Sequence, residues 1–137
     1  MTMTATSPET SLIEYRLRKA RETLDAAHSL LDSQNLRDSI SRLYFAQYYA
    51  VTALLLTKGF TTTEHFPVKE LFNRDFVDRG LVDKQWAEYY EQSFKDRLDG
   101  DYTDHYEFDQ GYVRERLRKA WDFMSAIADA IQSSLGY

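Results

Sequence analysis

The sequence predicts an all-α protein, an antiparallel up-and-down bundle of four to five helices. Three observations lead there. Apolar residues recur at alternating three- and four-residue spacing over long stretches near both ends of the chain. No run alternates apolar with polar residues as a half-buried strand would. The five glycines are scattered at helix ends and loops, so none of them builds a phosphate-cradling loop. With 137 residues, 43% of them apolar, the chain is long enough to bury one core without covalent staples. It has no cysteine, which removes disulfides, zinc–thiolate sites and thiol nucleophiles together.

Residues 1–9 are polar and offer nothing to bury, so they are expected to form a disordered tail, with a single bundle over 10–137. Ser11 and Glu14 have the spacing of a capping box at the head of the first helix. Behind them Ile13, Leu17, Ala20, Leu24, Ala27 and Leu31 form one apolar seam. The break at Ser33-Gln34-Asn35 is short, so the second helix must fold back on the first. That helix is expected from about Leu36 to Lys58, stopping at Gly59, a natural left-handed C-terminal residue. Its seam is Leu36, Ile40, Leu43, Gln47, Ala50 and Leu54. Beyond Leu43 nearly every face is apolar or aromatic, which predicts burial all round, by the bundle and often by a second protomer.

After a threonine-rich loop, Pro67 suits the first turn of a short third helix carrying Val68, Leu71, Phe72 and Phe76 towards Gly80. Asp83 caps a fourth, bearing Trp86, Tyr89, Tyr90, Phe94 and Leu98 as far as Gly100. Residues 101–108 read as an acidic loop. The last helix starts near Asp109 and carries Val113, Leu117, Ala120, Met124, Ile127 and Ile131.

Net charge is −5, and residues 60–110 hold 13 acidic against 6 basic residues. That is not the footprint of nonspecific nucleic-acid binding. The basic runs from Arg16 and Arg114 are interleaved with acids and read as solvated helix faces. No stretch approaches the roughly 18 apolar residues of a membrane span. The N-terminus lacks the apolar core of a signal peptide, so a cytoplasmic protein without membrane attachment is expected. His28, His65 and His105 lack ligand-like spacing, so neither metal nor cofactor is expected.

One constellation stands out. Asp38, Arg42 and Tyr49 lie at i, i+4 and i+11 of the second helix, and steps of four and seven residues turn only about 40° and about −20°, so they share a face. A guanidinium keeps its charge and must find an anion, a carbonyl or an aromatic ring. Asp38 is the local candidate, as an intrahelical ion pair that would only set register. Otherwise Arg42 is held ready for a phosphate, with a phenol one helical repeat beyond.

The run Ser39-Ile40-Ser41-Arg42-Leu43-Tyr44-Phe45-Ala46-Gln47-Tyr48-Tyr49-Ala50, followed by Leu54-Leu55-Leu56-Thr57-Lys58-Gly59, resembles the second helix of the HEPN family (higher eukaryote and prokaryote nucleotide-binding domains). The likeness extends to His65-Phe66-Pro67-Val68, to Arg97-Leu98-Asp99-Gly100-Asp101-Tyr102, and to a closing helix with Ala120, Phe123 and Ile127. The resemblance implies a homodimer joined through the motif-bearing helices, often a metal-independent ribonuclease toxin paired with a nucleotidyltransferase antitoxin. In such enzymes an arginine steadies the phosphate and a histidine moves the proton. Arg42 matches the arginine, but Tyr49 stands where the histidine belongs. An ordinary phenol titrates about 3.5 units above an imidazole, roughly 4–5 kcal/mol of added cost for the basic form. The tyrosine that family antitoxins modify has no counterpart, since Val51 occupies its position. His65 and His105 are the remaining imidazoles, and neither lies on the motif helix. The expectation is a dimeric module binding nucleotide, RNA or a partner nucleotidyltransferase, weak or inactive in catalysis. Asp38, Arg42, Tyr49, Arg97, Asp101 and Tyr102 are its candidate binding residues, and Arg42 and Tyr49 its candidate catalytic pair. The alternative is an active ribonuclease toxin.

Overall fold

Helix α1 (Pro8–Asp32) is held open at its head by Ser7, whose hydroxyl accepts from the Thr10 amide at 3.1 Å while Pro8 fills the first helical position. The computed structural model describes residues 7–136. The cap is therefore Ser7 rather than Ser11, and Pro8 and Glu9 belong to the helix instead of a tail. Residues 1–6 of the expected tail lie outside the described residues. Both serines could head a first turn. Ser7 wins because proline costs nothing at the first helical position, where its missing N–H has no intrahelical acceptor anyway.

Helix α2 (Leu36–Leu56) turns back after a left-handed Gln34, and Gly59 closes it at φ +80°. Contacts run in opposite order along the pair: Arg16 donates to the Thr52 carbonyl, and Ser39 donates to Ala27 at 2.8 Å. Helix α3 (His65–Phe72) passes directly into one π-helical turn (Asn73–Val77), closed by Asp78 N donating to the Asn73 carbonyl at 2.8 Å. The turn buries the Asp75 carboxylate against Arg74 at 2.8 Å and seats both Phe72 and Phe76 in the core.

Helix α4 (Lys84–Tyr102) starts at an Asp83 cap as expected, but runs two residues past Gly100. That glycine is an internal packing position. A Cβ there would lie 3.0 Å from the Phe108 ring, so the missing side chain lets the loop close over the helix. Helix α5 (Gln110–Ser134) begins at Asp109, whose carboxylate accepts from Tyr112 N. Among the described residues there is no strand.

Every predicted seam residue of α5 is buried, as are all those of α1 and α2 except the partly covered Leu17 and Leu36. Helix α2 is the central rod, packed by α1, α3, α4 and α5. The burial expected from a second protomer is largely supplied by the chain's own helices. From Leu43 to Leu56 only Phe45 and Tyr49 are less than buried.

Candidate functional site

The rotation of α2 is fixed by what it must hide. Ser39 reaches into α1, while Gln47 donates to Ser93 of α4 at 2.7 Å from a fully buried position. With those two turned inward, Asp38, Ser41, Arg42, Phe45 and Tyr49 form one outward strip, as residues three, four and seven apart must. Together with Leu30 of α1 they line an open groove of about 600 Å³. That volume lies within the range of small-ligand sites. Lys19 of α1 sets its ammonium 5.1 Å from the Tyr49 ring centre, adding a second cation at the rim.

Arg42 and Asp38 are both exposed, and among the described residues they form no ion pair. The intrahelical pair that the spacing allowed is not made. At an exposed site such a pair gains little, because water screens it and ordering two long side chains costs entropy. Among the described residues Arg42 also has no hydrogen-bond partner, so its donors are uncommitted at the groove. Of the two readings the spacing left open, the intrahelical ion pair is not found.

The second half of the candidate set meets the first through Phe45. The Arg97 guanidinium from α4 lies 4.9 Å from the Phe45 ring centre and 5.6 Å from Tyr44. Its Nε approaches Asp101 Oδ2 at 3.3 Å, an ion pair rather than an aligned hydrogen bond. Its side chain is only 17% exposed. Tyr102 does not join this group. It stands 74% exposed, and its hydroxyl makes no hydrogen bond among the described residues.

His65, at the first position of α3, is part of the same cluster. Its Nδ1 lies 2.7 Å from the Tyr44 hydroxyl, and its ring packs on Tyr48 at 4.6 Å and against Phe45 at 5.8 Å. Burial, with a smaller contribution from Arg97, pushes the imidazole below its ordinary 6.5. Burial pushes the Tyr44 phenol the other way, up to about 12. Behind them a cavity of about 20 Å³, lined by Tyr44, His65, Phe66, Lys69, Tyr90 and Phe94, lies beside the buried Tyr90 hydroxyl, which makes no geometrically sound hydrogen bond among the described residues.

Sequence reasoning missed Phe45 and Ser41, although both fall on the Arg42–Tyr49 face by the same helical arithmetic. It also gave the buried stripe of α4 to aromatic and aliphatic side chains alone. Ser93 and Asp96 are buried there too, in a network with Gln47, Tyr112 and Arg116. Among the described residues no three histidines or carboxylates gather as metal ligands would, and no helix is long and apolar enough to cross a membrane.

The fold and groove define a class of protein: a small helical bundle whose central helix presents an arginine on its one open strip. The chain belongs to the HEPN family, whose domain model matches residues 13–132. A UPF0332 protein of Thermotoga maritima is 41% identical over 121 residues, covering 88% of this chain and 92% of that one. Two proteins of Methanocaldococcus jannaschii, each named "Putative toxin", are 28% identical over 82% of this chain and 77% of their own, and 32% identical over 66% and 68%.

Proposed function

We propose that this chain is a homodimeric HEPN module whose Arg42 groove binds the phosphate of a nucleotide or RNA, with little catalysis arising from the groove itself. One observation carries the reading: a guanidinium with no partner among the described residues lies beside two half-buried aromatic rings in a groove of nucleotide size. Charge-assisted bonds from arginine suit phosphate oxygens, and the rings offer a stacking surface to a base. Tyr49, in place of a histidine, supports binding better than proton transfer. Arg97 and Asp101 extend the site across Phe45, while Asp38 borders it as an acceptor. In a dimer built on α2 the two strips face one shared cleft, and a nucleotidyltransferase is the protein partner that the family resemblance implies.

The test is fluorescence anisotropy with a short single-stranded RNA and with mononucleotides, alongside size-exclusion chromatography. Arg42→Gln is expected to weaken binding by at least about tenfold, the lower end of a charged hydrogen bond, with the fold intact. Equal binding by Arg42→Gln and the native protein would sink the reading.

A second reading, a metal-independent ribonuclease toxin, is favoured by the names of the two archaeal relatives. It predicts growth arrest on expression, relieved by Arg42→Ala.

A further inference from the structure

We infer that His65, entering from α3, is the general base of this face, working with Arg97 on an RNA phosphate held in the Arg42 groove. The inference rests on the binding half of the proposed function. What it adds is an imidazole that the motif helix lacks. Phe45 is the joint: its ring lines the groove, lies under the Arg97 guanidinium at 4.9 Å and touches the His65 ring at 5.8 Å. A strand crossing Phe45 therefore meets a free arginine on one side and an arginine–imidazole pair on the other.

The imidazole is oriented rather than loose. Nδ1 is tied to the Tyr44 hydroxyl and the ring is packed on Tyr48, so Nε2 is the nitrogen left without a hydrogen-bond partner among the described residues. With the proton on Nδ1 donated to the Tyr44 oxygen, Nε2 carries the lone pair a base needs. Tyr44, held up to about 12, stays a neutral phenol throughout. The charged and titratable groups around His65 are Tyr44 and Tyr48 from α2, Lys69 from α3, and Arg97 and Tyr90 from α4. Two carboxylates lie one contact further out, Asp101 paired with Arg97 and Glu91 paired with Lys69. The neighbouring cation and the burial both favour the neutral ring, which is the form that accepts a proton.

The step balances without a further reagent. The ribose 2′-hydroxyl gives its proton to His65 Nε2 as its oxygen bonds to phosphorus. The bond from phosphorus to the 5′-oxygen breaks, and that oxygen takes up a proton from the imidazolium. The products are a 2′,3′-cyclic phosphate and a 5′-hydroxyl end, with no metal or water consumed. Arg97, whose Nε makes no hydrogen bond among the described residues, supplies charge to the pentavalent phosphate.

The test incubates the full chain with end-labelled single-stranded RNA in EDTA and follows cleavage from about pH 5 to about pH 8. Slow cleavage is expected, rising through a midpoint below the ordinary 6.5 and then level. His65→Asn keeps an atom in the Nδ1 position for Tyr44 but removes Nε2, and is expected to lower the rate by about a hundredfold or more. His105→Asn, which removes an exposed imidazole outside this cluster, is expected to leave the rate unchanged within about twofold, below the smallest contribution expected of a positioned acid or base. No cleavage by the native chain, or cleavage that survives His65→Asn with its acid limb in place, overturns the inference. RNA affinity measured in parallel separates the two claims: binding lost only with Arg42→Gln leaves the proposed function standing even then. Should His65→Asn fail to fold, Arg97→Gln decides instead, because cleavage at the native rate in that variant also overturns the inference.

Discussion

Two arginines in this bundle sit one helix apart and live in opposite ways. On the α4–α5 face, Arg116 is committed to the fold: its Nη2 donates to the Tyr89 carbonyl at 2.9 Å and to Ser93 Oγ at 2.6 Å, and its guanidinium lies 3.9 Å from the Tyr89 ring centre, with its Nε buried and unbonded among the described residues. The Tyr89 hydroxyl in turn donates to the Arg116 carbonyl, and Ser93 accepts from Gln47 of α2. On the opposite edge of α2, Arg42 has none of this. The first arginine belongs to the fold, and the second is available to something outside it. The difference teaches that charge type alone does not mark a site. What marks it is whether the protein has already used the donors.

The largest expected effect breaks the committed side. Arg116→Leu removes the charged hydrogen bonds to Ser93 Oγ and the Tyr89 carbonyl and the cation over the Tyr89 ring, and should cost about 2–3 kcal/mol in urea unfolding while RNA affinity stays native. A variant of native stability would show that the network is ornamental and weaken the contrast. Next, Gly100→Ala places a methyl 3.0 Å from the Phe108 ring, at a predicted cost of about 1–2 kcal/mol by the same measurement.

The alkaline limb sharpens the comparison further. Tyr112 donates to the Asp96 carboxylate at 2.5 Å, and burial together with that carboxylate raises its phenol to about 12. The unfolded phenol releases its proton near 10, so this contribution is complete below pH 10 and is lost as pH climbs towards 12. Tyr112→Phe should flatten part of the stability loss seen between those limits. An identical pH dependence in the variant would remove Tyr112 from the account. Smallest of all, Asp38→Ser on the open strip should change stability by less than about 0.5 kcal/mol, because the exposed carboxylate has no partner to lose.

Periodicity alone makes the architecture readable. The seams of α1, α2 and α5 and the caps at Asp83 and Asp109 follow from local spacing and side-chain chemistry. The site is readable in part. A helical wheel places Arg42 and Tyr49 together, but whether Asp38 spends that arginine depends on solvent screening that a wheel does not contain. The meeting of His65, Arg97 and Phe45 joins three helices and arises only from packing. Gly100 misleads for a related reason: glycine signals a helix end locally, yet here it answers to a ring eight residues later in the chain.

The wide turn at Asn73–Val77 carries one consequence for how this lineage can change its length. A π-helical turn holds one residue more than the regular helix needs, and here both Phe72 before it and Phe76 within it are buried. Deleting any one of those five residues would tighten the coil and draw everything after it towards α3 by about one helical rise, roughly 1.5 Å. Phe76 would be displaced within the core and the Lys58–Asp75 contact, now 2.8 Å, would be disturbed. The segment should therefore accept substitutions on its wet side far more readily than a change in the number of its residues.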